Sequence, residues 1–104
     1  MTSTDVQLMA HLMRRAGFGA TRQQLDDLVG TGYDQTVEDL LDAVAHPSRL
    51  TDNLIRRYHP EYSGMMGNQS AGGNWMYRMI STDAPLREKI GLMWHGIFAT
   101  GYAK

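Results

Sequence analysis

Apolar residues recur at helical spacing along most of the chain. The first helix is predicted from about Asp5 to Ala16, with Thr4 and Asp5 as candidate N-cap residues. Its apolar stripe consists of Val6, Met9, Leu12, Met13 and Ala16. Because three or four apolar residues every two turns cover one side of a helix, this segment is expected to pack that side on a core.

Two further amphipathic helices are predicted before the middle of the chain. Thr21 begins the second helix, Gln24 completes a capping box with it, and Gly30 and Gly32 end it. The buried stripe of this helix is Leu25, Leu28 and Val29. The third helix ends before His46 because the residue preceding a proline is pushed out of the helical region. Its predicted stripe is Val37, Leu40, Leu41 and Val44.

The second half of the chain predicts three shorter helices and one long loop. The fourth helix carries Leu50, Leu54 and Tyr58. The glycine-rich stretch from His59 to Asn74, which includes Met65 and Met66, is predicted to be a loop. Asn74 is expected to cap a fifth helix through Trp75, Met79 and Ile80. A sixth helix follows, with Thr82 or Asp83 as its N-cap and Pro85 in its first turn.

No segment shows the alternation of period two that a half-buried strand requires. The expected fold is therefore all-α, with about six short helices in an irregular orthogonal bundle and one long Gly-rich loop. A chain of 104 residues fits a single helical domain over residues 1–104.

The Gly-Phe-Gly string that follows Arg14 and Arg15 allows two interpretations. A phosphate-binding loop would need more glycines after a strand, together with a lysine, so the favoured interpretation is a corner between two helices. Gly17 is then predicted to be a left-handed C-cap, Phe18 a hydrophobic plug, and Gly19 a point of close helix approach.

Charge and composition narrow the possible partners. The chain has 10 basic and 11 acidic residues, and the third helix carries Asp34, Glu38, Asp39 and Asp42. Phosphates would repel these carboxylates, so no nucleic-acid binding is expected. No segment is long and apolar enough to span a membrane, and the start lacks the order of a signal peptide, which makes a cytoplasmic location the default expectation.

The last predicted helix contains the residues that are candidates for catalysis. Arg87, Glu88 and His95 are the candidate catalytic residues, and Glu88 and His95 lie two turns apart on one face. The alternatives are a structural Arg87 that stacks on an aromatic ring or pairs with a carboxylate, and a buried, hydrogen-bonded His95. No metal site is expected, because no further ligand stands at i+3 or i+4, and no cofactor-binding residue is recognised.

The same helix is apolar on nearly every side, so it is expected to need neighbours. Trp94, Ile97 and Phe98 are therefore predicted to mediate self-association or to contact a carboxy-terminal part that is missing from this chain.

Four blocks of the sequence resemble one known family. They are "HLMRRAGFGAT", "LDDLVGTGYDQTVEDLLD", "WMYRM" and "PLREKIGLMWHGIFAT", in this order over almost the whole chain. The chain resembles the amino-terminal part of the bacterial family known as domain of unknown function 1800. Relatives often have a second histidine where this chain has Ile97, so a paired-histidine site is not implied.

The resemblance implies a longer parent protein without implying an activity. Members are usually several hundred residues long, so this chain is expected to be the amino-terminal fragment of a larger all-α protein. The leading functional hypothesis is a scaffold or interaction module. The alternative is part of an enzyme, such as a hydrolase, whose pocket is completed by residues beyond Lys104.

Overall fold

Helices make up nearly all of the regular structure in residues 2–62 and 68–99, which the computed structural model describes. The α-helices in this part of the chain are α1 (Ser3–Ala16), α2 (Arg22–Thr31), α3 (Tyr33–Leu41), α4 (Asp52–Tyr58), α5 (Asn68–Ser81) and α6 (Pro85–Ile97). A single 3-10 turn covers Pro60–Tyr62. The predicted all-α class is therefore confirmed.

Capping boxes begin the first two helices. Thr21 and Gln24 form the predicted box at the start of α2, with the Gln24 amide donating to the Thr21 hydroxyl at 3.3 Å. The cap of α1 is Thr2, whose hydroxyl accepts from the Asp5 amide at 3.2 Å. The prediction of Thr4 or Asp5 as that cap was wrong, because Asp5 supplies the second half of the Thr2 box instead.

A small core lies between α1 and α2. Met9, Met13 and Leu25 are buried there, and seven partly buried residues pack against them: Val6, Ala10, Leu12, Ala20, Leu28, Val29 and Leu40. Ile55 of α4 is buried outside this cluster. The radius of gyration is 16.0 Å, whereas a compact domain of this length has about 13 Å. The fold is therefore elongated and buries few side chains completely.

The glycine corner between α1 and α2 differs from the prediction. Gly17 is extended, with φ −160°, so it is not a left-handed cap. It is buried, and a Cβ atom built on it would lie 2.7 Å from Cβ of Pro85. Gly19 has the positive φ of 98° and donates its amide to the Met13 carbonyl at 3.2 Å. The two glycines thus exchange their predicted roles.

Phe18 does not plug the corner. Its side chain is 43% exposed, and Nζ of Lys89 in α6 lies 5.0 Å from the ring centroid. The same Nζ donates to the Arg14 carbonyl at 3.4 Å. Phe18 therefore contributes to a cation–π contact at the surface, where such contacts stabilise a protein modestly.

The third helix is shorter than the sequence predicts. It ends at Leu41 because the Asp42 carboxylate accepts from the Val44 and Ala45 amides, which replaces helical bonding. Val44 lies beyond the helix and is 92% exposed. Thr36 is the buried residue of α3, and its hydroxyl donates to the Gly32 carbonyl at 2.7 Å.

The long loop predicted from His59 to Asn74 is contradicted over much of its length. Helix α5 begins at Asn68 and continues through Gly72 and Gly73, so Asn74 is not an N-cap. Each glycine costs a helix about 1 kcal/mol relative to alanine, and contacts made later in α5 offset this cost. Arg78 donates to the Asn74 side chain at 2.9 Å, and Trp75 packs on α6. Met65 and Met66 lie outside the described residues.

Helix α6 begins without a side-chain cap. Ala84 is its N-cap and Pro85 its first residue, so neither Thr82 nor Asp83 has the predicted capping role. The Thr82 hydroxyl accepts from the Ala84 amide at 3.0 Å, and Asp83 bonds to a distant segment. None of the described helices has the length and apolarity needed to cross a membrane.

We predict that Gly17→Ala destabilises the fold by about 1 to 3 kcal/mol, because the added methyl group overpacks the contact with Pro85. Gly30→Ala is the matched control. Gly30 is helical and has no atom within 4 Å of an added Cβ, so its replacement is expected to raise the unfolding free energy by about 0.4 to 1 kcal/mol. Chemical denaturation measures both variants, and equal effects would contradict the close contact at Gly17.

Candidate functional site

A groove of about 570 Å³ opens between α3, the segment 42–50 and the start of α6. Most of its wall is apolar, with Met13, Leu28, Leu40, Pro47, Leu86 and Ile90. Its polar lining consists of Thr36, Asp39, His46, Ser48, Asp83 and Arg87. A groove of this size, with an apolar wall and a few polar groups, has the general character of a small-molecule site.

Asp83 fixes one wall of the groove. Its carboxylate accepts from the Ser48 hydroxyl at 2.8 Å and from the Arg49 amide at 3.1 Å, and the Arg49 side chain lies 3.3 Å from it. These bonds join the segment 42–50 to the turn between α5 and α6. Burial raises the pKa of Asp83, but the hydrogen bonds from Ser48 and Arg49 and the charge of Arg49 outweigh it and lower that pKa below 3.8.

A second contact holds the same segment against α3. Nε2 of His46 lies 3.4 Å from Oδ1 of Asp39, and the Gln35 side-chain amide donates to that oxygen at 2.8 Å. Both partners of the His46–Asp39 contact are partly exposed. A histidine beside a carboxylate is suited to proton transfer, but it needs a reacting group within hydrogen-bond reach.

Ser48 is not arranged as a nucleophile. Its hydroxyl donates to Asp83 and accepts from the Leu50 amide at 3.2 Å, so its proton does not point to His46. An activated serine would donate to a histidine base. In the described ranges, no three histidine, cysteine or acidic side chains cluster in a way that fits a metal ion.

The three residues predicted as a catalytic set do not all lie at the groove. Arg87 lines it, whereas Glu88 is half-buried and outside its wall. His95 is exposed and packs edge-on against Trp75, with 4.9 Å between ring centroids. The alternative of a buried, hydrogen-bonded His95 is therefore wrong, because the half of α6 that carries His95 stands clear of the core.

Within residues 2–62 and 68–99, Arg87 has neither of the two structural roles considered for it, which were an ion pair with a carboxylate and stacking on an aromatic ring. No carboxylate there pairs with its guanidinium, and no aromatic ring stacks on it. Trp94, which lies two turns further along α6, stacks on Phe98 with 5.4 Å between ring centroids. Arg87 is thus a charged group that lines the groove and has no ion-pair partner among the described residues.

The second notable surface is the C-terminal half of α6. Up to Lys89 the helix is largely half-buried, but each residue from Ile90 to Ala99 is exposed. This exposed surface contains Ile90, Leu92, Met93, Trp94, Ile97 and Phe98. Trp94, Ile97 and Phe98, which the sequence predicts as a contact surface, are thus exposed. We call this set of six residues the α6 surface.

Sequence reasoning missed the residues that shape the groove. Asp83 was interpreted as a helix cap and Asp39 only as one of the acidic residues of the third helix, whereas both hold the segment 42–50. Ser48 and Asp83 are 35 positions apart. Local periodicity carries no signal for a contact of this kind, because it arises from how the helices pack.

Comparison with known proteins identifies a family. A family model described as "Protein of unknown function (DUF1800)" matches residues 11–104. No curated protein and no solved structure matches the chain.

We predict that Asp83→Asn lowers the free energy of unfolding at neutral pH. We also predict that this free energy falls less steeply in the variant than in the wild type as the pH becomes acidic. The lowered pKa means that the Asp83 carboxylate stabilises the fold above pH 3.8, and that this contribution is lost as pH falls through the folded-state pKa. The effect at neutral pH should be about 0.5 to 1 kcal/mol, since water screens the exposed pair with Arg49.

Denaturation of both proteins between neutral and acidic pH tests this prediction. The difference in unfolding free energy should shrink in acid. Asp5 and Glu61 also have a lowered pKa, Asp5 through hydrogen bonds with Thr2 and Glu61 through hydrogen bonds with its own backbone and with His59. They contribute equally to both proteins and cancel. A difference that stays constant with pH would contradict the role of Asp83.

Proposed function

Because the chain belongs to the family described as "Protein of unknown function (DUF1800)", which names no activity, we propose its function from its exposed surfaces: it is a helical interaction module. Two copies associate through the α6 surface, and the module acts as a scaffold without catalysis of its own. The observation that carries this proposal is the exposure of every residue from Ile90 to Ala99.

The size of the α6 surface supports association. Ile97 is 62% exposed and Phe98 69%, and the other four members are between 39% and 53% exposed. With about 200 Å² for a fully exposed large side chain, the six leave roughly 600 Å² of apolar area. This approaches the roughly 800 Å² that each partner contributes to a stable protein interface. Leu92 lies on the opposite side of the helix from Ile90 and Trp94, so two copies that pair the other five residues bury roughly 550 Å² of this area on each partner.

The charge of the α6 surface supports an apolar partner. Between Ile90 and Ala99, His95 is the one ionisable side chain, so no ring of charges selects a charged partner. A two-fold pair of identical helices offers each apolar surface an equally apolar one, and the commonest symmetric oligomers are two-fold dimers. The second copy is thus the occupant with the right chemistry.

The enzyme alternative receives less support. Arg87 is the one member of its candidate set that lines the groove, while His95 packs on Trp75 and lies on the exposed half of α6. A reaction would also need a nucleophile in contact with a base. Ser48 and His46 are not such a pair, because the Ser48 hydroxyl donates to Asp83.

We predict that the 104-residue chain self-associates and that Ile97→Gln weakens this association at least about tenfold, because an unpaired amide in an apolar interface costs more than 1 kcal/mol. Val44→Gln is the matched control, since Val44 is an exposed aliphatic residue outside the α6 surface. Sedimentation equilibrium over a concentration series measures the association, and circular dichroism verifies that both variants are folded.

Two results would overturn the proposal. One is a wild-type chain that stays monomeric at every concentration, which would mean that the α6 surface does not pair with a second copy. The other is an equal loss of association in Val44→Gln and Ile97→Gln, which would place the interface elsewhere.

A further inference from the structure

The charged side chains that line the groove differ in the hydrogen bonds and ion pairs that they make. Asp83 is bonded to Ser48 and Arg49, and Asp39 accepts from Gln35 and lies beside His46. Arg87 has no such partner in the described ranges. Among the charged side chains that line the groove, Arg87 is therefore the one whose hydrogen-bonding groups have no described partner within residues 2–62 and 68–99.

We propose that this groove binds a small amphipathic carboxylate. The carboxylate pairs with the Arg87 guanidinium, and the apolar body of the ligand lies along Leu40, Leu86 and Ile90. A guanidinium presents two parallel N–H donors that match the two oxygens of a carboxylate, which gives this ligand class an orientation as well as a charge contact.

The position of Arg87 in the helix supports this orientation. Leu86 and Ile90 are one turn apart on α6, and Arg87 of the same helix also lines the groove, so the cation and the apolar wall face one cavity. Leu40 on α3 provides the opposite side. The volume of about 570 Å³ lies within the range of small-molecule pockets.

A cationic amphiphile fits this groove less well. Its ammonium group would have to share Asp83 with Arg49 and Ser48, or Asp39 with His46 and Gln35. It would also meet repulsion from Arg87. A carboxylate breaks none of the existing bonds, so the groove should discriminate between amphiphiles of equal length by the sign of their charge.

Suitable probes are decanoate and decylammonium below their micelle concentrations and decanol below its solubility limit, with binding measured by calorimetry. We expect decanoate to bind the wild-type chain more tightly than decanol, and decylammonium to bind most weakly. Arg87→Gln should weaken decanoate binding about tenfold, the worth of a charge-assisted hydrogen bond. It should leave decanol binding unchanged.

Arg57→Gln is the matched control for the loss of one exposed positive charge, and decanoate affinity should stay within about twofold of wild type. Ala43→Trp provides a steric test. Ala43 is exposed and lines the groove, so a tryptophan there fills space without entering the core, and it should abolish binding of decanoate and decanol alike.

The Ile97→Gln variant distinguishes decanoate binding in the groove from decanoate binding to the α6 surface. This variant should keep the decanoate affinity of the groove even where it loses self-association. A decanoate affinity that is lost in Ile97→Gln but kept in Arg87→Gln would overturn the groove assignment and leave the proposed interaction module intact. Equal affinity for decanoate and decylammonium, or the absence of decanoate binding, would also overturn it.

Discussion

The close contact between Gly17 and Pro85 determines where α6 begins. A side chain at position 17 would occupy the space that Pro85 fills, so the end of α1 and the first turn of α6 come together only because glycine stands there. Lys89 strengthens the junction one turn later, through the Arg14 carbonyl and the Phe18 ring. Once α6 is placed, its first turn forms a wall of the groove, and its remaining turns extend away from the core.

The consequence is a helix with two different environments. Near Pro85 its residues are half-buried against α1, α3 and α5, whereas from Ile90 onward water reaches every one of them. The core between α1 and α2 is too small to extend under this second half. Apolar side chains in such a position favour association, because removing their area from water lowers the free energy. A small core and a large exposed helix are thus linked consequences of the elongated fold.

The sequence predicted the features that depend on neighbouring residues. The Thr21–Gln24 capping box, the Leu25 stripe and the uncovered surface of α6 follow from spacing alone. It failed where a tertiary contact or a local side-chain bond competed with the pattern. The two glycines at positions 72 and 73 suggested a loop, but they lie within α5. The apolar spacing predicted that α3 continues to Val44, but the hydrogen bonds of Asp42 end the helix at Leu41.

The candidate site was predictable to a similar extent. Arg87 was identified as a candidate site residue, and it lines the groove. The partners that close the groove were not identifiable, because Asp83 and Ser48 meet only through the packing of distant segments. Gly17 illustrates the same limit: its special position was visible in the sequence, but the reason for it lies 68 residues away in Pro85.

The two tryptophans lie in the same half of the molecule, so their fluorescence reports on that half. Trp75 contacts His95 between α5 and α6, and Trp94 stacks on Phe98 in α6. The buried cluster of α1 and α2 consists of methionine and leucine, which do not fluoresce. Tryptophan emission therefore reports on the α5–α6 half of the fold, while circular dichroism reports on all the helices. Comparing the two signals during unfolding reveals whether the exposed half of the molecule and its core lose structure together or separately.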